Sequence, residues 1–155
     1  MLIGIFRCWC NECIVRIHWF AGIILLCNST LVLADLQISD GWVKLAPPGA
    51  KANAAYLQFY NPTKQPVVIE SINANCCAHL MLHRTRYEND RAIMEHVDQL
   101  TIPAQSHVEL IPGGLHIMLI NAMQPLIVGD TIEMQLHFNN GQQQTIHLPV
   151  KADGP

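Results

Sequence analysis

The chain has 155 residues, half of them apolar and only 14% charged, with nine glycines and nine prolines. That composition suits one folded domain and excludes a disordered chain, a collagen-like repeat and a two-domain enzyme. The net charge of −3 supplies no basic field for nucleic acid, so no such partner is expected.

Residues 1–34 differ in character from the rest of the chain. Arg7 and Arg16 precede an apolar run, Ile17–Cys27, and Val32-x-Ala34 offers a signal-peptidase site before Asp35. The run is shorter than the ~20 residues a membrane-spanning helix needs. The expectation is a secretory signal over residues 1–34, cut after Ala34, leaving a single domain at 35–155. A retained membrane anchor and a true translation start near Val15 are the alternatives. Cys8, Cys10 and Cys13 form half of a metal-type cluster without a second half. A lipid-attachment site at Cys27 would want a small residue before it, and Leu26 is not small. Only Cys76 and Cys77 then remain. Adjacent Cα atoms sit ~3.8 Å apart, below the usual disulfide window, so the domain must rely on its core.

Strand-like segments come in this order: Trp42–Leu45, Ala54–Tyr60, Val67–Ile72, Ala78–Tyr87, Ala92–Val97, His107–Leu110, Leu115–Ile120, Thr131–Phe138 and Thr145–Val150. Between them lie turn residues: Pro47-Pro48-Gly49, Asn61-Pro62, Glu88-Asn89-Asp90, Pro103, Pro112-Gly113-Gly114, Gly129-Asp130 and Asn139-Asn140-Gly141. Asn140-Gly141 between alternating runs is a hairpin signal. No segment keeps a capped helical period. The pattern predicts an all-β Greek-key sandwich or barrel.

Of eight histidines and six methionines in the chain, seven histidines and four methionines fall on those strands, unevenly. His79, Met81 and His83 share one face by alternation, and Cys77 has their parity; Met94 pairs with His96, and His116 with Met118. A tight hairpin at Glu88-Asn89-Asp90 puts His83 and Met94 on one face, opposite or one diagonal step apart. His116-x-Met118 must arrive from another strand. Singly, a strand methionine fills core and a strand histidine is an ordinary polar group. Three such pairs suggest a metal instead. Thioether sulfur is soft and favours Cu(I), imidazole also binds copper, and hard cations would want oxygen. His107, His137 and His147 are read as surface or core histidines outside any site.

The spacing His83-x10-Met94-x21-His116-x-Met118 resembles the motif of the periplasmic copper chaperones called PCu(A)C. Gly41-Trp42-Val43-Lys44, Ala54-Ala55-Tyr56-Leu57, Asn61-Pro62, Pro112-Gly113-Gly114-Leu115 and Gly129-Asp130 are similar to that family's surroundings. The likeness runs from about residue 38 to 150. It implies a cupredoxin-like sandwich, located in the periplasm, binding one Cu(I) through His83, Met94, His116 and Met118. It also implies copper delivery for the respiratory oxidase copper centre, with a Sco-type thioredoxin-like partner and the oxidase's copper-bearing subunit. The chain departs from the family at His96, where methionine is common, at Cys76-Cys77, and in ending without a His/Met-rich tail. His96, Met81 and Cys77 are candidate accessory ligands: either Met81 packs in the core and His96 orients the site, or they line a transfer route. Copper storage or resistance is the alternative role. A cupredoxin-type electron carrier would need a Cys thiolate, for which Cys77 alone has suitable parity. No catalytic triad, carboxylate pair or phosphate loop is visible, so neither an enzyme nor a small-molecule substrate is expected, and a monomer is.

Overall fold

The computed structural model describes residues 36–154. The expected signal segment, with Cys8, Cys10, Cys13 and Cys27, lies outside the described residues. Ten strands make up the fold: β1 (Gln37–Lys44), β2 (Ala52–Asn61), β3 (Val67–Ala74), β4 (Cys77–Glu88), β5 (Arg91–His96), β6 (Leu100–Ile102), β7 (Ser106–Leu110), β8 (Leu115–Ala122), β9 (Thr131–Phe138) and β10 (Gln143–Lys151). The all-β expectation holds. β6 is an addition, three residues long and ended by Pro103, too short for its alternation to register. β1 starts earlier than its apolar residues suggest because a bulge interrupts it between Ser39 and Trp42. Asp40 there has a φ of 52°. Gly41 gives the Leu148 side chain room, since a Cβ at that position would meet the Leu148 Cδ2 methyl and force it to shift.

The strands form one continuous sheet in the order β5-β4-β8-β2-β1-β10-β9-β3-β6, with β7 also paired to β2. β1 and β10 meet in parallel through Val43–Val150 and Lys44–Lys151. The sheet folds over on itself at this seam. Strand alternation then turns Ala55, Leu57 and Phe59 of β2 inward while Ala54 and Tyr56 face out. Leu57, Phe59, Ile117 and Leu119 join Ile102, Met134, Leu136 and Leu148 from the other half in a single buried cluster. Two hairpins obey their turn chemistry. Asn89 and Asp90 both take positive φ (49° and 60°), the two-residue turn that matches strand twist. At the other hairpin Gly141 has a φ of 80° and its N–H donates to Phe138 O at 2.9 Å.

Asn61, wholly buried at the end of β2, is the main polar tie inside the fold. Its Nδ2 donates to the carbonyls of Gln65, Ile102 and Pro103 at 2.8–3.1 Å. Its Oδ1 accepts from Thr63 N and Thr63 Oγ1 at 3.0 and 2.8 Å. The side chain thus fastens the β2–β3 loop to the end of β6. Asn61→Ala would leave the Ile102 and Pro103 carbonyls without their donor, since Gln65 O also accepts from Thr63 Oγ1, and is expected to cost about 2–6 kcal/mol, at ~1–3 kcal/mol for each buried polar group left unpaired. Urea unfolding measures this; a loss below about 0.5 kcal/mol, the scale of an ordinary surface substitution, would show that water replaces the amide freely.

Candidate metal centre

The site is built by registration of three strands. β4 pairs with β5 so that His83 lies opposite His96 and Thr85 opposite Met94. Met94 is therefore one diagonal step from His83 on the same face. On its other side β4 pairs with β8, setting His83 opposite His116 and Met81 opposite Met118. β2 continues the sheet, with Ala54 opposite Met118. All these residues lie on the face turned away from the core. Ile117 and Leu119, which alternate with His116 and Met118, are fully buried on the other face.

Within this face the donors are close. His83 Nδ1 and Met118 Sδ are 2.9 Å apart. The rings of His83 and His116 are 6.0 Å apart, edge to face. Met94, His116 and Met118 line one surface groove of about 360 Å³, with Tyr56 and Thr85. Met94 is 59% exposed and His116 only 5%, so the groove has one fixed wall and one free donor. His116 Nδ1–H donates to the Gly114 carbonyl at 3.0 Å, which holds the ring and leaves Nε2 as its free donor atom. Among the described residues no three His, Cys, Asp or Glu side chains are gathered closely enough to hold an ion as they stand. A metal here would draw on methionine sulfur, which selects a soft ion.

The other candidates fall in different places. Met81 is 36% exposed opposite Met118, on the ligand face and not in the core. His96 is on the same row, with its ring 5.6 Å from that of His83. Cys77 has the right parity but lies six residues from His83, about 20 Å along an extended strand. It is buried among core residues. Burial, with the hydrogen bond and charge of neighbouring Cys76, pushes its thiol up to about 12, so it stays protonated and is a poor metal ligand. Its Sγ is 3.3 Å from that of Cys76, and both thiols are free. His107 stacks on Tyr60, His137 meets Asn73, and His147 meets Glu133; each has a local partner away from the groove. Sequence reasoning missed Tyr56 and the Gly114 carbonyl. The Pro112-Gly113-Gly114 turn was the available signal for the latter, since it ends one residue before β8.

Residues 36–150 match the family model named LpqE-like, described as "Putative lipoprotein LpqE-like". The chain belongs to the LpqE-like family. A relative from Leifsonia xyli subsp. xyli (strain CTCB07), "Putative lipoprotein Lxx21020", is 32% identical over 117 residues, covering 75% of this chain and 69% of that protein. Among solved structures, the copper-bound PCuAC domain from PmoF2 superposes with a TM-score of 0.64 at 22% identity, over 76% of this chain and 93% of that one. The solution structure of CuI-DR1885 from Deinococcus radiodurans gives a TM-score of 0.61 at 30% identity, over 73% and 76%. This LpqE-like chain therefore has the fold of PCuAC domains, the cupredoxin-like architecture that its motif implied.

Burial, then the charges of His116 and His96, lowers the His83 pKa below its ordinary 6.5. The folded protein thus resists protonating His83. This residue's share of stability is whole above pH ~6.5 and is lost as the pH falls below it. NMR titration is expected to place the His83 midpoint below that of an exposed histidine, and His116→Gln to move it upward. A midpoint at or above ~6.5 in the unsubstituted protein would contradict the packing described for His83.

Proposed function

We propose that this protein is an exported copper chaperone that carries Cu(I) on the outer face of β4, β5 and β8. The ligands are His83, Met94, His116 and Met118. The observation that carries the reading is the donor set: an imidazole nitrogen and a thioether sulfur 2.9 Å apart, with a second imidazole and an exposed methionine lining the groove beside Met118. Such a set carries no charge and needs no thiolate, so it holds a soft monovalent ion in an oxidising compartment without being closed as a disulfide. It also releases the ion more readily than thiolates would, which suits delivery. The likeness to CuI-DR1885 supports copper as the cargo. The lipoprotein descriptions of the family and of the Leifsonia relative support an exported, membrane-associated location, in keeping with the signal read over residues 1–34. The client is the respiratory oxidase copper centre, reached with a Sco-type thioredoxin-like partner. Electron carriage is disfavoured, because Cys77 is buried in the core and lies about 20 Å along the strand from His83, out of reach of the donor face.

Anaerobic titration with Cu(I) is expected to load one ion per chain. X-ray absorption of that form should show both sulfur and nitrogen scatterers; a shell of nitrogen and oxygen alone would overturn the ligand set. Met118→Ala is expected to weaken retention by about tenfold or more, roughly 1.4 kcal/mol. Met123→Ala, at an exposed position outside the groove, should leave retention unchanged. Affinity should also fall as the pH drops below ~6.5, the ordinary range in which protons compete with a metal for imidazole nitrogen. Constant affinity between pH 8 and pH 5 would remove both histidines from the set.

A further inference from the structure

The three imidazoles on the ligand face form a row that crosses three hydrogen-bonded strands. His83 is directly paired with His96 on one side and with His116 on the other. The ring separations are 5.6 and 6.0 Å, and each flanking ring is nearly perpendicular to the central one. Each flanking histidine also has a polar partner beside one nitrogen. His116 Nδ1–H is held by the Gly114 carbonyl. His96 Nε2 lies 3.4 Å from Asp98 Oδ1, near enough for the carboxylate to orient the ring. What remains to bind an ion is Nε2 of His116, Nδ1 of His96, and the ring of His83, whose Nδ1 faces Met118.

The methionines lie on the neighbouring positions of this same face, Met118 on one side of the row and Met94 on the other. Soft sulfur favours Cu(I), whereas Cu(II) prefers nitrogen and oxygen. The geometry points to a second ligand set: we infer that the site also binds Cu(II), through His83, His116 and His96, with Asp98 positioning His96. His83 and His116 serve both oxidation states; Met94 and Met118 serve Cu(I), and His96 serves Cu(II). In the structure the three rings do not yet converge. The His96 side chain is about half exposed, so its ring can turn toward His83 without displacing packed neighbours. This inference rests on the copper reading of the site and adds to it a residue and an oxidation state.

The test is a pair of titrations of the full chain, one with Cu(I) under anaerobic conditions and one with Cu(II), the latter followed by electron paramagnetic resonance. The variants are His96→Met, which replaces an imidazole nitrogen with a soft sulfur, and Asp98→Asn. The unsubstituted protein should take one Cu(II) with nitrogen couplings from three imidazoles. His96→Met should remove one of these and lower Cu(II) affinity by at least tenfold, while Cu(I) affinity changes by less than about threefold. Asp98→Asn should lower Cu(II) affinity by a smaller factor with the three imidazoles retained. If Cu(I) binds but His96→Met leaves the Cu(II) spectrum and affinity unchanged, the second set is wrong and the chaperone site stands. If His96→Met weakens both ions equally, His96 is an ordinary member of one common set and the division by oxidation state is wrong. If the unsubstituted protein binds neither ion, the copper reading itself fails and this inference with it.

Discussion

Everything at the candidate centre depends on the hydrogen-bond ladder of β4. This strand has partners on both sides, and the ladder leaves no freedom in which residue meets which. A slip of one residue against β8 would send His116 and Met118 into the core and bring Ile117 and Leu119 out. The apolar contacts of those two buried residues therefore hold the donors in place, although they touch no ligand. The hairpin to β5 is fixed by its own turn, in which both residues adopt positive φ, and by Arg86, which bridges Glu88 and Glu95 at 3.3 and 2.9 Å. That exposed network adds little stability, but it favours the same alignment as the turn.

The donor face is buried on one side and exposed on the other. His116 is buried and tied to Gly114, and the ring of Tyr56 lies 6.4 Å from it, with Trp42 behind at 5.0 Å from Tyr56. β5, by contrast, is an edge strand, and Met94 and His96 on it are exposed. A carrier needs this combination. The fixed wall defines the position of the ion, and the edge lets an incoming partner replace one ligand at a time.

Much of this could be seen in the sequence, and the limits have physical causes. Alternation and turn residues revealed nine of the ten strands, and the spacing from His83 to Met94 fixed their common face once a tight hairpin was assumed. Asn89 and Asp90 tolerate positive φ, so that assumption had a chemical basis. The pairing of β4 with β8 was not legible, because these strands are separated by the whole of β5, β6 and β7 and only the assembled core makes them neighbours. The same holds for the Gly114 carbonyl, a backbone group whose direction depends on the turn. Parity misled at Cys77: it assigns a face but does not say where along a strand the protein interior begins, and the first residue of β4 is already under cover. Met81 shows the converse, a methionine that packing statistics would place inside and that strand alternation leaves on the outer face.

The parallel pairing of β1 with β10 has a mechanical side. The first and last strands of the domain run side by side in the same direction, so a pull on the two ends of the domain drags them past one another lengthwise. The bonds of the seam, including Leu45 N–H to Lys151 O at 2.8 Å, are then loaded together in shear. An antiparallel terminal pair would instead open one bond at a time, like a zipper. Force on this protein would thus meet its resistance at the seam and the bulge beside it, where Gly41 lets Leu148 approach, while the donor face lies two strands away on β8 and beyond and is shielded from the load.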